Sequence, residues 1–127
     1  MKVWIRAIGR GAALVLVGFT ATVLAGCTRD GEADKARAHN LYQRNCAVCH
    51  GATGQGMRGL GKSLIANPFV HDRGETELVA FLKTGRNASH PLNETGVNMP
   101  PRGGNPSLTD EDLVAIARHL KGLEGNR

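Results

Sequence analysis

The sequence predicts an all-α domain of three or more helices joined by long loops. Three segments carry apolar residues at helical spacing, and no segment alternates apolar and polar residues with the period of two that marks a β-strand. Glycine and proline are concentrated between those segments, which predicts turns and irregular backbone there. The 127 residues are enough for one domain and too few for two.

The first 26 residues resemble a secretory signal. Lys2, Arg6 and Arg10 form a basic start, and residues 11–26 form an uncharged run rich in Ala, Val and Leu. That run is slightly short for a membrane-spanning helix of about 20 residues. It is close to the apolar region of a signal peptide, so we expect residues 1–26 to be a targeting segment.

This segment ends in Leu24-Ala25-Gly26-Cys27, which resembles the lipobox of bacterial lipoproteins. In that family the peptide is cut before the cysteine, whose thiol carries a diacylglycerol and whose amine is acylated. The resemblance implies lipidation of Cys27. Residues 28–33 are polar and carry no apolar pattern, so we expect residues 27–33 to form a lipidated tether and residues 34–127 to form the domain. The domain would be anchored to a membrane of the cell envelope, facing the periplasm or another extracytoplasmic space. An uncleaved anchor helix and an ordinary signal peptide with a chance cysteine are the alternatives.

Processing would change the charge of the chain. Residues 1–26 hold three of the sixteen Lys and Arg and none of the eleven Asp and Glu. The mature chain then has thirteen basic and eleven acidic side chains, a net charge of +2, where the full chain has +5. This balance gives no reason to expect a nucleic-acid partner.

The most informative motif is Cys46-Ala47-Val48-Cys49-His50, which follows a helix predicted over residues 34–45. Two thiols three positions apart, followed at once by an imidazole, form the attachment pattern of a c-type haem. On one turn of backbone both sulfurs can bond vinyl-derived carbons of one porphyrin, and the imidazole can ligate its iron. The motif predicts one covalent haem c on Cys46 and Cys49, with His50 as proximal ligand. A thioredoxin-like redox pair and half of a zinc site are the alternatives.

The segments after the motif alternate between loops and one short helix. Five glycines in residues 51–61 predict a loop, which its position after His50 places at the haem edge. Asn67-Pro68 breaks the apolar run that follows. A short helix is predicted over residues 75–83, with Gly85 as its C-cap.

Residues 87–104 predict a long loop, because prolines and glycines interrupt them repeatedly. The last helix is predicted to start at Thr109-Asp110-Glu111-Asp112, a capping-box pattern with Asp in place of Glu. Gly122 is predicted to end it. Its apolar stripe consists of Leu113, Ile116, Ala117 and Leu120.

Met99 is the predicted second axial ligand of the iron. It lies in Val97-Asn98-Met99-Pro100-Pro101, where prolines stiffen the backbone behind it. A Pro-bracketed polar loop suits a ligand better than a methionine that fills a gap in a core. Met57, His90 and His71 are the alternatives, of which Met57 is too close to His50 to reach the opposite face. His39 and His119 lie on predicted helices and are assigned to neither axial position.

Together these features resemble a class I cytochrome c, a small monohaem domain, over roughly residues 34–123. The resemblance rests on the haem motif, Gly54-Gln55-Gly56, Met99-Pro100 and the last helix. It implies thioethers at Cys46 and Cys49, and His50 and Met99 as axial ligands. The segment around Met99 also resembles cytochrome c domains associated with respiratory oxidases.

In this family the first and last helices cross, with a small and an aromatic residue at each contact. Ala38 and Tyr42 match on the first helix, whereas His119 occupies the aromatic position of the last. Pro68 lies too far along the chain to be the family proline whose carbonyl holds the proximal imidazole. Candidate partners for the haem propionates are Arg58, Arg86 and Arg102.

The predicted function is one-electron transfer in a respiratory chain by a membrane-tethered, monomeric domain that is not an enzyme. Its expected partners are redox proteins or membrane respiratory complexes, which such carriers meet briefly and weakly. One alternative is a permanent cytochrome subunit of a membrane oxidase or dehydrogenase complex. A second is a five-coordinate haem sensor or a peroxidase-like enzyme, and a third is a haem-free dithiol module.

Overall fold

The computed structural model describes residues 26–123, and its order of elements confirms the predicted all-α class. Within these residues the regular elements are helical, and paired backbone outside them is limited to two isolated bridges, Met57–Gly61 and Arg86–Met99. The elements are α1 (Gly26–Asn45), α2 (Ala47–His50), α3 (Pro68–His71), α4 (Glu75–Thr84), a 3₁₀ turn (Pro101–Gly104) and α5 (Asp110–Gly122).

Helix α1 begins at Gly26, eight residues before the predicted start at Asp34. Residues 28–33, which we expected to form an extended polar tether, are therefore helical. Once a helix has nucleated, each added residue gains one backbone hydrogen bond, and no proline interrupts this segment. An ion pair of Glu32 with Lys35, 3.7 Å apart, adds a small i,i+3 contribution. Apart from Gly26, the predicted signal segment lies outside the described residues.

Helices α1 and α5 pack on each other, as the family resemblance implied. Ala38 and Tyr42 of α1 are buried, and the Tyr42 ring lies 5.1 Å from the ring of His119, centroid to centroid. The imidazole thus occupies the place of the aromatic side chain that the resemblance led us to look for. An ion pair between Arg37 and Asp112 joins the same two helices at the surface.

The core lies between α1, α4 and α5. Tyr42, Leu78, Leu113 and Ile116 are its largest fully buried side chains. All four residues of the predicted α5 stripe are buried. Among residues 26–123, no helix combines the length and the apolar character that a membrane crossing requires.

The ends of α4 and α5 confirm the predicted capping. Thr109 Oγ1 accepts a hydrogen bond from the Asp112 amide at 3.2 Å, and Asp112 Oδ2 accepts one from the Thr109 amide at 3.0 Å. Gly85 follows α4 with a φ of 67°, which suits glycine at a C-cap. Gly122 is the last residue of α5 rather than the residue after it.

The Asn67-Pro68 pair begins a helix where we expected only a break. Pro68 is the first residue of α3, and Asn67 Oδ1 accepts a hydrogen bond from the Phe69 amide at 2.9 Å. Proline is favoured at this position because its fixed φ suits a helix and its missing N–H has no intrahelical partner there. Asparagine is among the preferred N-caps, so the pair is a start signal.

Candidate functional site

A single apolar cleft contains all four residues that the sequence singled out around the iron. It holds about 1100 Å³ of space when its open mouth is included. The described residues that line it include Cys46, Cys49, His50, Met99, Phe69, Phe81, Leu82, Leu113 and Ile116. A mostly apolar wall with some charged side chains suits a flat macrocycle with an apolar ring and anionic propionates, such as a porphyrin.

The attachment motif forms one tight turn at the end of α1. Helix α1 ends at Asn45, and the amides of Cys49 and His50 both donate to the Cys46 carbonyl, at 3.1 and 2.9 Å. This turn brings the two thiols and the imidazole to the same cleft. Both cysteines are half-buried and free of disulfide bonds.

The environment of Cys46 disfavours the thiolate form of its side chain. Burial, followed by the nearby Cys49, raises the pKa of Cys46 to about 11. Redox-active and zinc-binding cysteines instead have pKa values below the usual range, since the thiolate is the nucleophile and the metal ligand. This electrostatic setting counts against a thiolate at Cys46, which a redox pair or a zinc site would require. Within residues 26–123, no group of three or more His, Cys, Asp or Glu side chains could hold a metal ion.

The imidazole of His50 is oriented by a backbone carbonyl. His50 Nδ1 lies 2.8 Å from the carbonyl oxygen of Lys62. Because a carbonyl can only accept, Nδ1 carries the proton and Nε2 keeps a free lone pair for a metal. Contacts of this kind fix the ring of a metal-binding histidine and raise its basicity.

The glycine-rich loop over residues 51–61 brings the Lys62 carbonyl next to the His50 imidazole. The Gly56 amide donates to the His50 carbonyl at 2.7 Å, and the loop then turns back at the Met57–Gly61 bridge. At Gly61 a Cβ atom would lie 2.5 Å from the carbonyl oxygen of Cys49, so only glycine fits without a shift. The loop therefore folds against the attachment turn, and residues 60–62 line the cleft.

Met99 reaches the cleft from the long loop between α4 and α5. It is half-buried and packs against the core cluster. Of the described residues that line the cleft, His50 is the only histidine and Met99 the only methionine. Met57 is 43% exposed, and His71 and His90 are exposed at the surface, so none of these three alternatives contributes to the lining.

Two of the three arginines considered for the propionates line the cleft, and both are already hydrogen-bonded. Arg86 donates to the Leu92 carbonyl at 3.1 Å. Arg102 donates to the Leu108 carbonyl at 2.6 Å and to Asp110 at 2.8 Å. Each keeps further N–H groups for an anion, because a guanidinium carries five. Arg58 is exposed and does not contribute to the lining.

Helices packed around an apolar cleft that contains a Cys-x-x-Cys-His turn define a c-type cytochrome domain. The comparison with protein families agrees with this class, because residues 33–120 match the model described as "Cytochrome C oxidase, cbb3-type, subunit III". The match covers more than half of the chain, so the chain belongs to this family. Membership gives the domain a haem-based role in electron transfer. A search of the solved structures found no significant match.

Proposed function

We propose that this chain is a monohaem, membrane-tethered one-electron carrier of a respiratory chain, with Cys46 and Cys49 as thioether positions and His50 and Met99 as axial ligands. The observation that carries the proposal is the presence of these four residues in one apolar cleft. When bound, the haem supplies an iron that exchanges one electron between its ferrous and ferric forms.

The protein groups have separate tasks in this proposal. The Lys62 carbonyl keeps the His50 proton on Nδ1, which leaves Nε2 for the iron. The Met99 thioether favours the reduced form and so raises the reduction potential. The apolar wall excludes water, and burial is one of the protein's means of tuning a haem potential. With both axial positions filled by side chains, the domain would carry electrons and have no site for a substrate at the iron.

Methionine ligation is tested by Met99→Ala, with Met57→Ala as the matched control. We expect Met99→Ala to lose the weak far-red sulfur-to-iron absorption band and to have a much lower reduction potential. Met57→Ala should keep both, since Met57 is outside the cleft lining. Visible spectroscopy and a redox titration of each purified holoprotein measure the two properties. An unchanged far-red band in Met99→Ala would contradict the ligand assignment.

Carbon monoxide separates this proposal from the five-coordinate sensor or peroxidase-like alternative. A ferrous haem with both axial positions filled binds carbon monoxide weakly or not at all, whereas an open position binds it readily. We expect no rapid binding by the wild-type protein and binding by Met99→Ala. Rapid binding by the wild type would favour the alternative. A haem stain on a denaturing gel tests the covalent attachment.

A permanent place in an oxidase complex is the second candidate, and the family match favours it, since the matching model describes an oxidase subunit. The haem chemistry is the same in both cases. Solubilisation in mild detergent distinguishes them, because a subunit would co-purify with a terminal oxidase and a free carrier would not. Addition of salt during purification tests whether an association is of the weak, transient kind expected of a shuttle.

The membrane tether is proposed from the lipobox-like segment that ends at Cys27. Two or more acyl chains give stable anchoring, whereas one chain gives only marginal binding. We expect Cys27→Ser to move the haem protein from the membrane fraction to the soluble envelope fraction, or to leave its signal segment uncleaved. Mass spectrometry of the N-terminal peptide shows whether the variant is cleaved and whether the wild type carries lipid on Cys27. An unmodified Cys27 in the wild type would contradict the lipoprotein assignment.

A further inference from the structure

We infer that Gly85, the residue after α4, is a positioning residue for Met99 and that it acts through the Met99 main chain. This inference rests on the proposed role of Met99 as an iron ligand. Gly85 itself lies outside the lining of the cleft. Its effect on the iron would be indirect, through the position in which the end of α4 holds the loop that contains Met99.

The backbone of Met99 is tied directly to the end of α4. The Arg86 amide donates to the Met99 carbonyl at 2.8 Å, and the Met99 amide donates to the Arg86 carbonyl at 2.8 Å. This pair of hydrogen bonds forms the isolated antiparallel bridge between the two residues. Both polar main-chain groups of Met99 are therefore bound to the residue that follows Gly85.

Gly85 permits this bridge because it has no side chain. A Cβ atom there would lie 2.1 Å from the Met99 carbonyl oxygen and 2.8 Å from the Pro100 carbonyl carbon. Both contacts are with backbone, so no side-chain rotation could relieve them. The Gly85 φ of 67° and ψ of −158° also lie in a region that is essentially restricted to glycine.

The chain beyond Met99 cannot easily absorb a displacement. Pro100 and Pro101 restrict the backbone directly after it. The turn at Pro101–Gly104 is then fixed by Arg102, which donates to the Leu108 carbonyl and to Asp110. With the loop held at both ends, a shift at Gly85 would move Met99 itself.

The test compares Gly85→Ala with Gly96→Ala. Gly96 has nearly the same φ, 70°, and a Cβ atom there would have no neighbour within 4 Å. Both positions have a positive φ that disfavours alanine, and of the two only Gly85→Ala collides with the Met99 loop. We expect Gly85→Ala to lose most of the far-red band, to bind carbon monoxide in the ferrous form and to have a lower potential. Gly96→Ala should match the wild type in all three measurements.

A Gly85→Ala holoprotein that keeps its far-red band and resists carbon monoxide would overturn the inference. Failure of the proposed function is recognised separately, because Met99→Ala would then keep the band. The double variant Gly85→Ala/Met99→Ala adds a stricter test. If Gly85 acts through Met99, the glycine change should barely alter the potential once Met99 is absent. An equal shift in both backgrounds would indicate a general structural role.

Hydrogen exchange on the wild-type protein keeps the inference testable if Gly85→Ala does not fold. The Arg86 and Met99 amides should be strongly protected and should exchange at similar rates, because they belong to one bridge. The Ser89 amide, which bonds only to the nearby Asn87 side chain at 2.9 Å, should exchange faster. Exchange of the Met99 amide at the rate of the Ser89 amide would contradict the proposed bridge.

Discussion

The Lys62 carbonyl oxygen accepts a hydrogen bond from His50 Nδ1 across a distance of 2.8 Å, so a backbone atom sets the tautomer of the predicted proximal ligand. Gly61 controls this contact, because a Cβ atom there would lie 3.2 Å from His50 Nδ1 as well as colliding with the Cys49 carbonyl. The orientation of the His50 imidazole therefore depends on the absence of a side chain at Gly61.

We expect Gly61→Ala to weaken the His50–Lys62 hydrogen bond and to raise the reduction potential. A less basic imidazole donates less to the iron and stabilises the ferric form less. Potentiometric titration of the holoprotein measures the effect. Gly59→Ala, in the same loop, is the control: its φ of 76° favours glycine, but a Cβ atom there would have no neighbour within 4 Å. Equal potentials in the two variants would argue against this role for Gly61.

We expect Tyr42→Phe to cost about 1 kcal/mol of unfolding free energy. The Tyr42 hydroxyl donates to the Gly51 carbonyl at 2.7 Å, and burial raises the pKa of Tyr42 to about 12. The loss stays small because the Gly54 amide still donates to the same carbonyl at 3.1 Å. Denaturant unfolding measures the change.

Tyr42→Leu is the comparison variant for this hydrogen bond. It removes the ring that packs against His119 as well as the hydroxyl, so its loss of stability should be clearly larger. Equal losses in the two variants would show that the ring contributes little beyond its hydrogen bond.

We expect His119 to make the folded state less stable in mild acid. Burial, and then the nearby His39, lowers the pKa of His119 below its ordinary value of 6.5. Its Nε2 is buried, with no hydrogen-bond partner among the described residues. The unfolded chain therefore binds the proton more readily, and stability falls as the pH drops from about 6.5 through the lowered value.

Replacement of His119 by Phe removes this proton uptake and keeps an aromatic ring beside Tyr42. We expect the unfolding free energy of His119→Phe to vary less than that of the wild type between about pH 7 and pH 5. Denaturant unfolding at several pH values measures the difference. His90→Phe, at an exposed loop position, is the control and should follow the wild type. Parallel pH profiles for His119→Phe and the wild type would contradict the prediction.

We expect Asp110→Asn to loosen the turn that follows Met99. Hydrogen bonds from Lys83 and Arg102 lower the pKa of Asp110, so its charge stabilises the fold above about pH 4 and this contribution is lost on acidification. The asparagine variant should have a slightly lower melting temperature at neutral pH and a weaker acid dependence. Glu75→Gln, which removes the surface ion pair with Arg118 outside the cleft lining, should leave the far-red band of the holoprotein unchanged. A larger effect on that band from Glu75→Gln than from Asp110→Asn would contradict the role of Asp110 in supporting the turn.

Local signals in the sequence were sufficient for α4, α5 and the attachment turn. Thr109 and Asp112 satisfy each other's backbone amides, and Gly85 ends α4, because capping depends on residues a few positions apart. The haem motif is contiguous in the sequence, so its chemistry can be predicted without knowledge of the fold. Met99 was predicted from its proline-rich context, and the structure brings it to the same cleft, although its ligation remains a prediction.

Other features of the structure could not be predicted from the identity and spacing of the side chains. The Lys62 carbonyl belongs to the backbone, so neither the identity of the residue nor its spacing could reveal its contact with His50. The extension of α1 to Gly26 was missed because residues 28–33 carry no apolar pattern, and a helix without one gives no periodic signal. The contact of His119 with Tyr42 could be suspected from the family pattern, but its buried and unpartnered nitrogen depends on long-range packing.

The unbroken course of α1 from Gly26 to Asn45 has a geometric consequence for the proposed lipid anchor. An α-helix advances about 1.5 Å and rotates about 100° per residue, so 20 residues span about 30 Å in a fixed angular register. If the lipid is attached at Cys27, this rigid length keeps the haem motif within about 30 Å of the anchored end, and any tilt of the helix brings the cleft nearer to the bilayer. Insertion of one more helical turn into α1 would lengthen this reach by about 5.4 Å.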